Sequence, residues 1–106
     1  MSEHEKLSVL PYAQRFGLTP QLAYLMKALH EAETLVTNED MKDALLMGQR
    51  GADKKRNRIV DMSVYRLRKC LTPFDIGIKR IENFGAYFTD EDKRRITHAL
   101  SGFQPT

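Results

Sequence analysis

The side chains best suited to specific hydrogen bonding fall within one short segment, which contains Arg58, Asp61, Tyr65 and Arg66. Arginine donates two parallel hydrogen bonds to a guanine edge, and aspartate accepts one from the amino group of cytosine. Tyrosine contacts a phosphate through its hydroxyl group or a thymine methyl group through its ring. These residue types indicate contact with DNA bases, provided that one element presents them side by side.

That element is predicted to be a helix over 58–71, because Val60, Val64, Leu67 and Leu71 recur there at helical spacing. When this apolar stripe is buried, the hydrogen-bonding side chains lie on the opposite side. The major groove of B-DNA is about 12 Å wide and admits one α-helix with its side chains. We therefore expect this helix to lie in the major groove.

Arg68 and Lys69 lie towards the flank of the same helix and are suited to phosphate contacts, which position a protein without reading sequence. A second interpretation stays open for this face. It is a solvated surface helix in which Asp61 pairs with Arg58 or Tyr65, or in which Asp61 stabilises the first helical turn through its negative charge.

Basic charge is concentrated in the middle of the chain, where residues 48–80 carry ten basic and three acidic side chains. A glycine-rich stretch, 48–57, contributes Lys54, Lys55 and Arg56 and is predicted to be an exposed loop. A localised positive field attracts a polyanion such as a nucleic acid. The alternative is a solvated loop and helix face.

Further helices and a hairpin are predicted around this segment. Helix starts are expected at Thr19, Thr37 and Thr89, because a threonine hydroxyl accepts hydrogen bonds from the first free N–H groups of a helix. Short apolar runs between 76 and 88 flank the turn Asn83-Phe84-Gly85 and predict a two-stranded hairpin. The side chains predicted to be buried in these three helices are Leu22, Leu25, Met26, Leu29, Met41, Ala44, Leu45, Ile96, Ala99 and Leu100.

The order of elements predicts a mainly α fold with small β. Residues 18–88 are predicted to form a winged helix-turn-helix, with three helices and a β-hairpin wing. Residues 1–17 are predicted to be an N-terminal arm or a short strand, with 7–10 as the strand. Residues 89–106 are predicted to be an extra C-terminal helix and tail, whose apolar face completes the core or forms a dimer contact.

The hairpin supplies a second group of candidate DNA contacts. Lys79 and Arg80, with Asn83 at the turn, are placed to straddle a DNA backbone or enter a minor groove. The alternative is that the two cations are exposed strand residues that deter pairing with another sheet edge.

Patterns typical of enzymes and metal sites are missing from the sequence. His4, His30 and His98 lack ligand spacing, and Cys70 is predicted to be a packing residue at the end of a helix. We therefore expect no enzyme activity, no cofactor and no metal. We also expect no secretory signal and no membrane span, and a cytoplasmic, nucleoid-associated location.

The segment 58–71 reads RIVDMSVYRLRKCL and resembles the recognition helix of OmpR/PhoB-type response regulators, especially CtrA-like DNA-binding domains, which typically reads V-D-x-x-I-x-x-L-R-x-K-L. The following TPFDIGIKRIENFGAYF resembles the approach to their wing. The resemblance covers about 18–88. It implies a sequence-specific bacterial or phage transcription regulator, often bound to direct repeats as a head-to-tail homodimer.

By position, this resemblance also implies which residues contact DNA. Loop 48–57 corresponds to a loop that contacts RNA polymerase in some relatives, and its basic charge makes DNA an equal candidate. The implied DNA contacts are Arg58, Asp61, Ser63, Tyr65, Arg66 and Arg68 on the helix, with Arg80 and its neighbours on the wing.

The sequence also departs from the family pattern. We expect a standalone domain without the phosphoacceptor receiver domain. Glu82 stands where the family often has arginine, and Ala86 stands where it usually has tyrosine; an acid near a minor groove argues against wing insertion. Two other functions therefore stay open: a protein-interaction adaptor or anti-regulator that has lost DNA recognition, and non-specific genome packaging.

Overall fold

The structure is a computed structural model that describes residues 3–47, 58–81 and 83–101. Within this part, five helices and a small antiparallel sheet confirm the predicted mainly α fold with small β. No helix in it is long and apolar enough to cross a membrane. The elements are α1 (Glu3–Phe16), α2 (Pro20–Glu31), β1 (Val36–Thr37), α3 (Asn38–Met47), α4 (Arg58–Leu71), a 3-10 turn (Thr72–Phe74), β2 (Lys79–Ile81), β3 (Gly85–Tyr87) and α5 (Asp90–Leu100).

The first helix corrects the prediction for the N-terminus. Residues 3–16 form α1, so the predicted arm or short strand is wrong. Val9, Tyr12 and Phe16 are spaced three and four residues apart, and all three are buried. Because α1 packs against α2 and α5, this helical burial outweighs the cost of Pro11 inside the helix.

The next two helices begin at the predicted caps. The N–H of Leu22 donates to the Thr19 hydroxyl at 3.4 Å, and the N–H of Asp40 donates to the Thr37 hydroxyl at 3.2 Å. Each bond satisfies a backbone donor that has no partner within the helix. The predicted inward side chains of both helices are buried, namely Leu22, Leu25, Met26, Leu29, Met41, Ala44 and Leu45.

Helix α4 is anchored by the apolar stripe that the sequence predicts. Val60, Val64, Leu67 and Leu71 are all buried, and the last two have no exposed surface. The stripe packs against α2 and α3. Since burying one such side chain contributes about 1.5–3 kcal/mol, four of them fix which face of α4 points outward.

The sheet contains one more strand than the predicted hairpin. Strand β3 lies in the centre, with β2 and β1 antiparallel on its two sides. Val36 and Arg80 both lie opposite Ala86, on different edges of β3. The sequence marks the residues around Val36 only as a short apolar link, because a two-residue strand has no detectable alternation.

Two residues explain how the hairpin closes. Asn83 adopts a φ of 62°, a left-handed conformation that asparagine tolerates better than most residues. At Gly85, a Cβ atom would lie 2.2 Å from the carbonyl oxygen of Val36. Only glycine therefore allows β1 and β3 to approach this closely. Ile78 is buried and Ile81 is 45% exposed, so Ile78 packs in the core and Ile81 faces solvent.

Helix α5 completes the core. Thr89 and Asp92 form a capping box, in which each side chain bonds the backbone N–H of the other residue. Ile96 is fully buried, and Ala99 and Leu100 pack against the core, as predicted. The Arg15 guanidinium donates to the carbonyl oxygen of Ala99 at 2.9 Å, which ties α1 to the end of α5.

Candidate nucleic-acid interface

The side of α4 opposite its apolar stripe is exposed and forms the candidate interface. Met62 and Tyr65 are 52% and 58% exposed, although both are large and partly apolar. We call this surface the outer face of α4; it consists of Asp61, Met62, Tyr65, Arg66 and Lys69.

Tyr65 and Lys69 interact on this face. The Lys69 ammonium lies 4.8 Å from the centre of the Tyr65 ring, within the range of a cation–π attraction. The two residues are one helical turn apart, so the contact needs no distortion of α4. It holds an aromatic surface and a positive charge next to each other in the middle of the outer face.

Arg66 and Lys69 keep their charge available for a ligand. No carboxylate in the described part of the chain pairs with either residue. Lys79, at the start of β2, is also exposed. The described surface around α4 and the hairpin therefore has more available positive than negative charge.

Arg80 has a different environment from the one predicted. Its side chain is only 18% exposed, and its guanidinium is 2.9 Å from Oδ1 of Asp61. It also donates to Oδ1 of Asn38 and to the carbonyl oxygen of Gly85, both at 2.7 Å. Arg80 is therefore neither a free cation for a minor groove nor an exposed strand cation.

The same contacts answer the question of where Asp61 pairs. Its partner is Arg80, 19 residues away; the predicted alternative with Arg58 involves a side chain outside the described part of the chain. Asp61 itself remains 73% exposed at the side chain. It also lies in the first turn of α4, where a negative charge interacts favourably with the helix dipole.

Arg68 also makes a contact within the protein. Its guanidinium donates to the carbonyl oxygen of Ile78 at 3.0 Å, and its backbone carbonyl accepts from the Thr72 hydroxyl at 2.8 Å. Arg68 thus joins the second half of α4 to Ile78, the residue directly before β2. Its side chain remains exposed at the edge of the outer face.

The structure removes Ser63 from the outer face. Ser63 is 7% exposed and lies on the buried side of α4 with Val60 and Leu67, so it cannot reach a groove that the outer face occupies. The reason is helical geometry, because Ser63 is two positions from both Asp61 and Tyr65.

Several predicted contacts fall outside the described part of the chain. Lys54, Lys55 and Arg56 belong to the segment 48–57, and Glu82 precedes the hairpin turn. Arg58 is the first residue of α4, and its side chain also lies outside the described part.

A polar cleft of about 280 Å³ lies where α3, α4 and the hairpin meet. Asn83, exposed at the turn, is one of the residues around it. Sequence reasoning missed Asn38, which begins α3 and accepts the Arg80 hydrogen bond. No local pattern marks this role, since the two residues are 42 positions apart. The lining residues are Asn38, Glu39, Lys42, Val60, Asp61, Arg80 and Asn83.

A second polar cluster joins α1, α2 and α5. Nδ1 of His30 is hydrogen-bonded to the Tyr12 hydroxyl at 2.9 Å, and Nε2 of His30 is bonded to the Thr97 hydroxyl at 3.1 Å. Burial lowers the pKa of His30 and, with the nearby Glu31 charge as a smaller cause, raises the pKa of Tyr12 to about 12. These residues stabilise the helix junction.

Cys70 is partly buried and packs against the core, as predicted. Among the described residues, no group of three or more histidine, cysteine or acidic side chains is arranged to hold a metal ion. No protein-family model, curated protein or solved structure matches the chain. The site must therefore be interpreted from its own geometry.

Proposed function

We propose that this chain binds double-stranded DNA as a sequence-specific transcriptional regulator, with the outer face of α4 in the major groove. The observation that carries the proposal is the two-sided character of α4. One face is anchored in the core, and the other presents Tyr65, Arg66 and Lys69 to solvent. An exposed, basic helix of this length fits a groove that admits one α-helix.

The arrangement of the neighbouring elements supports a winged helix-turn-helix. Helices α2, α3 and α4 are followed by the β2–β3 hairpin, which is the order expected for that fold. The resemblance of 58–71 to OmpR/PhoB-type recognition helices supports the same proposal. Under it, a nucleoid-associated location, homodimers on direct repeats and contact with RNA polymerase are further proposals.

The roles of the side chains differ within the proposed interface. Arg66 is suited to two hydrogen bonds with a guanine edge, while Lys69 and Lys79 are suited to phosphates. The aromatic ring of Tyr65 offers an apolar contact for a thymine methyl group. Asp61 is the acceptor on this face.

Binding-site selection from random duplexes, followed by titration at several salt concentrations, tests the proposal. We expect one enriched sequence and an affinity that falls steeply with salt, because phosphate neutralisation releases counterions. Equal binding of all duplexes at every salt concentration would contradict specific regulation. Salt-dependent binding with no preferred sequence would instead indicate genome packaging.

A protein-interaction adaptor is the second candidate, because the same region exposes large apolar groups. Met62, Tyr65, Ile81 and Phe84 are between 45% and 58% exposed, and such side chains are common in protein interfaces. Backbone amide shifts on addition of duplex DNA separate the two functions. Shifts confined to α4 and the hairpin favour DNA; no shifts at any DNA concentration favour the adaptor.

A further inference from the structure

The guanidinium of Arg80 connects three separate elements. It lies on β2 and contacts Asn38 at the start of α3, Asp61 in the first turn of α4 and Gly85 at the start of β3. All three donor–acceptor distances are between 2.7 and 2.9 Å. Bonds of this length to a charged donor are among the stronger hydrogen bonds in proteins.

These contacts use most of the N–H donors of Arg80 within the protein. Nη1 makes two hydrogen bonds, to Asn38 and Gly85, and Nη2 makes one to Asp61. Arginine recognises guanine or phosphate through a pair of parallel donors. Three of the five N–H donors of the guanidinium are therefore bonded within the protein, and the side chain is only 18% exposed, so little of Arg80 is open to a DNA base or phosphate.

Asp61 gains a defined position from the same contacts. An exposed aspartate on a helix normally samples several rotamers. Here Oδ1 is held by Arg80, while 73% of the side chain stays exposed on the outer face of α4. The positive charge of Arg80 also offsets the repulsion between this carboxylate and DNA phosphates.

We propose that Arg80 is a positioning residue that orients Asp61 towards the amino group of a cytosine in the major groove, and that Arg80 itself does not contact DNA. This inference rests on the proposed function. According to this inference, Asp61 in the first turn of α4 prefers one base, and Arg80 of the hairpin holds the Asp61 carboxylate in the orientation that this preference needs.

Cytosine is the base that fits this acceptor best. An ionised carboxylate only accepts hydrogen bonds. Cytosine presents its N4 amino donor in the major groove, whereas guanine presents two acceptors and thymine an acceptor and a methyl group. Adenine has an amino group, but its neighbouring N7 acceptor would repel a carboxylate.

Binding-site selection with four proteins tests the inference: wild type, Asp61→Asn, Arg80→Gln and Lys79→Gln. We expect wild type to select cytosine at one position, and Asp61→Asn to lose about 5- to 150-fold of that discrimination. Arg80→Gln should weaken the same preference while the preferences at the other selected positions stay unchanged.

Lys79→Gln is the matched control, because it removes one positive charge from the neighbouring residue of β2. If Lys79 contacts a phosphate, this variant keeps the cytosine preference. It also makes the negative slope of log affinity against log salt shallower by about 0.9. Arg80→Lys is a further variant, because it keeps the charge but not the forked geometry. We expect it to weaken the cytosine preference too, even if Arg80→Gln does not fold.

Different outcomes would contradict the proposed function and the proposed roles of Asp61 and Arg80. If wild type selects no sequence, the proposed function is wrong. If wild type selects a sequence but Asp61→Asn leaves every preference unchanged, only the role of Asp61 is wrong. If Arg80→Gln loses affinity equally for all duplexes and lowers the salt slope as Lys79→Gln does, Arg80 contacts phosphate and the positioning role is overturned.

Discussion

Arg66 on α4 and Arg80 on β2 are the same residue type in adjacent elements, and both are predicted from the sequence to contact DNA. Arg66 is exposed and has no carboxylate partner in the described part of the chain. Arg80 has an 18% exposed side chain and bonds three groups of the protein. The comparison teaches that a basic side chain is available to a ligand only where the fold leaves its donors unused.

The difference follows from what lies beside each residue. The outer face of α4 is exposed, and no ion pair of Arg66 is present in the described part of the chain. Arg80 lies at the meeting point of two helix starts and a strand, where acceptors from Asn38, Asp61 and Gly85 converge. Acceptors and donors in such a place are costly to leave unpaired.

The largest expected effect comes from removing the support beneath α4. Leu67→Ala deletes a fully buried side chain and should lower the free energy of unfolding by about 2–5 kcal/mol. Urea denaturation measures the change. Arg66→Ala, at the adjacent exposed position, is the control and should change stability by less than about 0.5 kcal/mol. Similar losses in both variants would contradict the two-sided description of α4.

The next largest effect is expected on DNA affinity, and it tests whether Arg66 is available to contact DNA. Arg66→Ala should weaken binding to the selected duplex by about 1–3 kcal/mol, as expected for a lost base contact. Fluorescence anisotropy measures the affinity. Arg94→Ala removes an exposed cation from α5 and should leave specific binding nearly unchanged; an equal loss in both variants would mean that only total charge matters.

The free energy of unfolding tests whether the hydrogen bonds of Arg80 stabilise the protein. Arg80→Gln should cost about 1–3 kcal/mol of unfolding free energy, because it leaves acceptors in Asn38 and Gly85 without their charged donor. Arg66→Gln should have little effect, since Arg66 is exposed. Thermal unfolding in the absence of DNA compares the two variants, and equal melting temperatures would show that the Arg80 contacts contribute nothing.

The smallest expected effect concerns His30, which is separate from both arginines. Because burial lowers the pKa of His30 in the folded state, the unfolded chain binds a proton more readily. Stability from this group is therefore complete above the ordinary histidine pKa of about 6.5 and is lost as the pH falls below it. The neighbouring charges of Glu31 and Lys93 are smaller causes of the His30 shift.

Urea denaturation at pH 7.5 and pH 5 measures the His30 effect. His30→Gln keeps hydrogen-bonding capacity but does not titrate, so its stability should fall less between the two values than that of wild type. Identical losses would show that His30 does not contribute to the pH dependence. The Arg66 and Arg80 comparison should be unchanged by this substitution.

Much of the fold could be predicted from local patterns. The caps at Thr19, Thr37 and Thr89 and the stripe on α4 depend on residues close in sequence. Helix α1 is not evident from local patterns, because Pro11 lies inside it and its apolar residues Val9, Tyr12 and Phe16 are few. Its burial depends on α2 and α5, which no local signal reveals.

The candidate site divides in the same way. The exposure of Tyr65, Arg66 and Lys69 follows from helical spacing once the apolar stripe is known. The partner of Asp61 could not be found by spacing, because Arg80 is 19 residues away and reaches Asp61 only when the hairpin packs beside α4. Ser63 was placed by resemblance, and helical geometry alone would have assigned it to the buried side.

The sequence by itself therefore determined where the helices begin, which face of α4 is buried and which residue types that helix offers to a groove. These properties depend on hydrogen bonds and apolar contacts between near neighbours in the chain. Only the tertiary structure decided that the Arg80 guanidinium bonds groups of the protein and is not left to solvent. The physical reason is that a guanidinium bonds the acceptors nearest to it in space, and packing brings residues 38, 61 and 85 to Arg80.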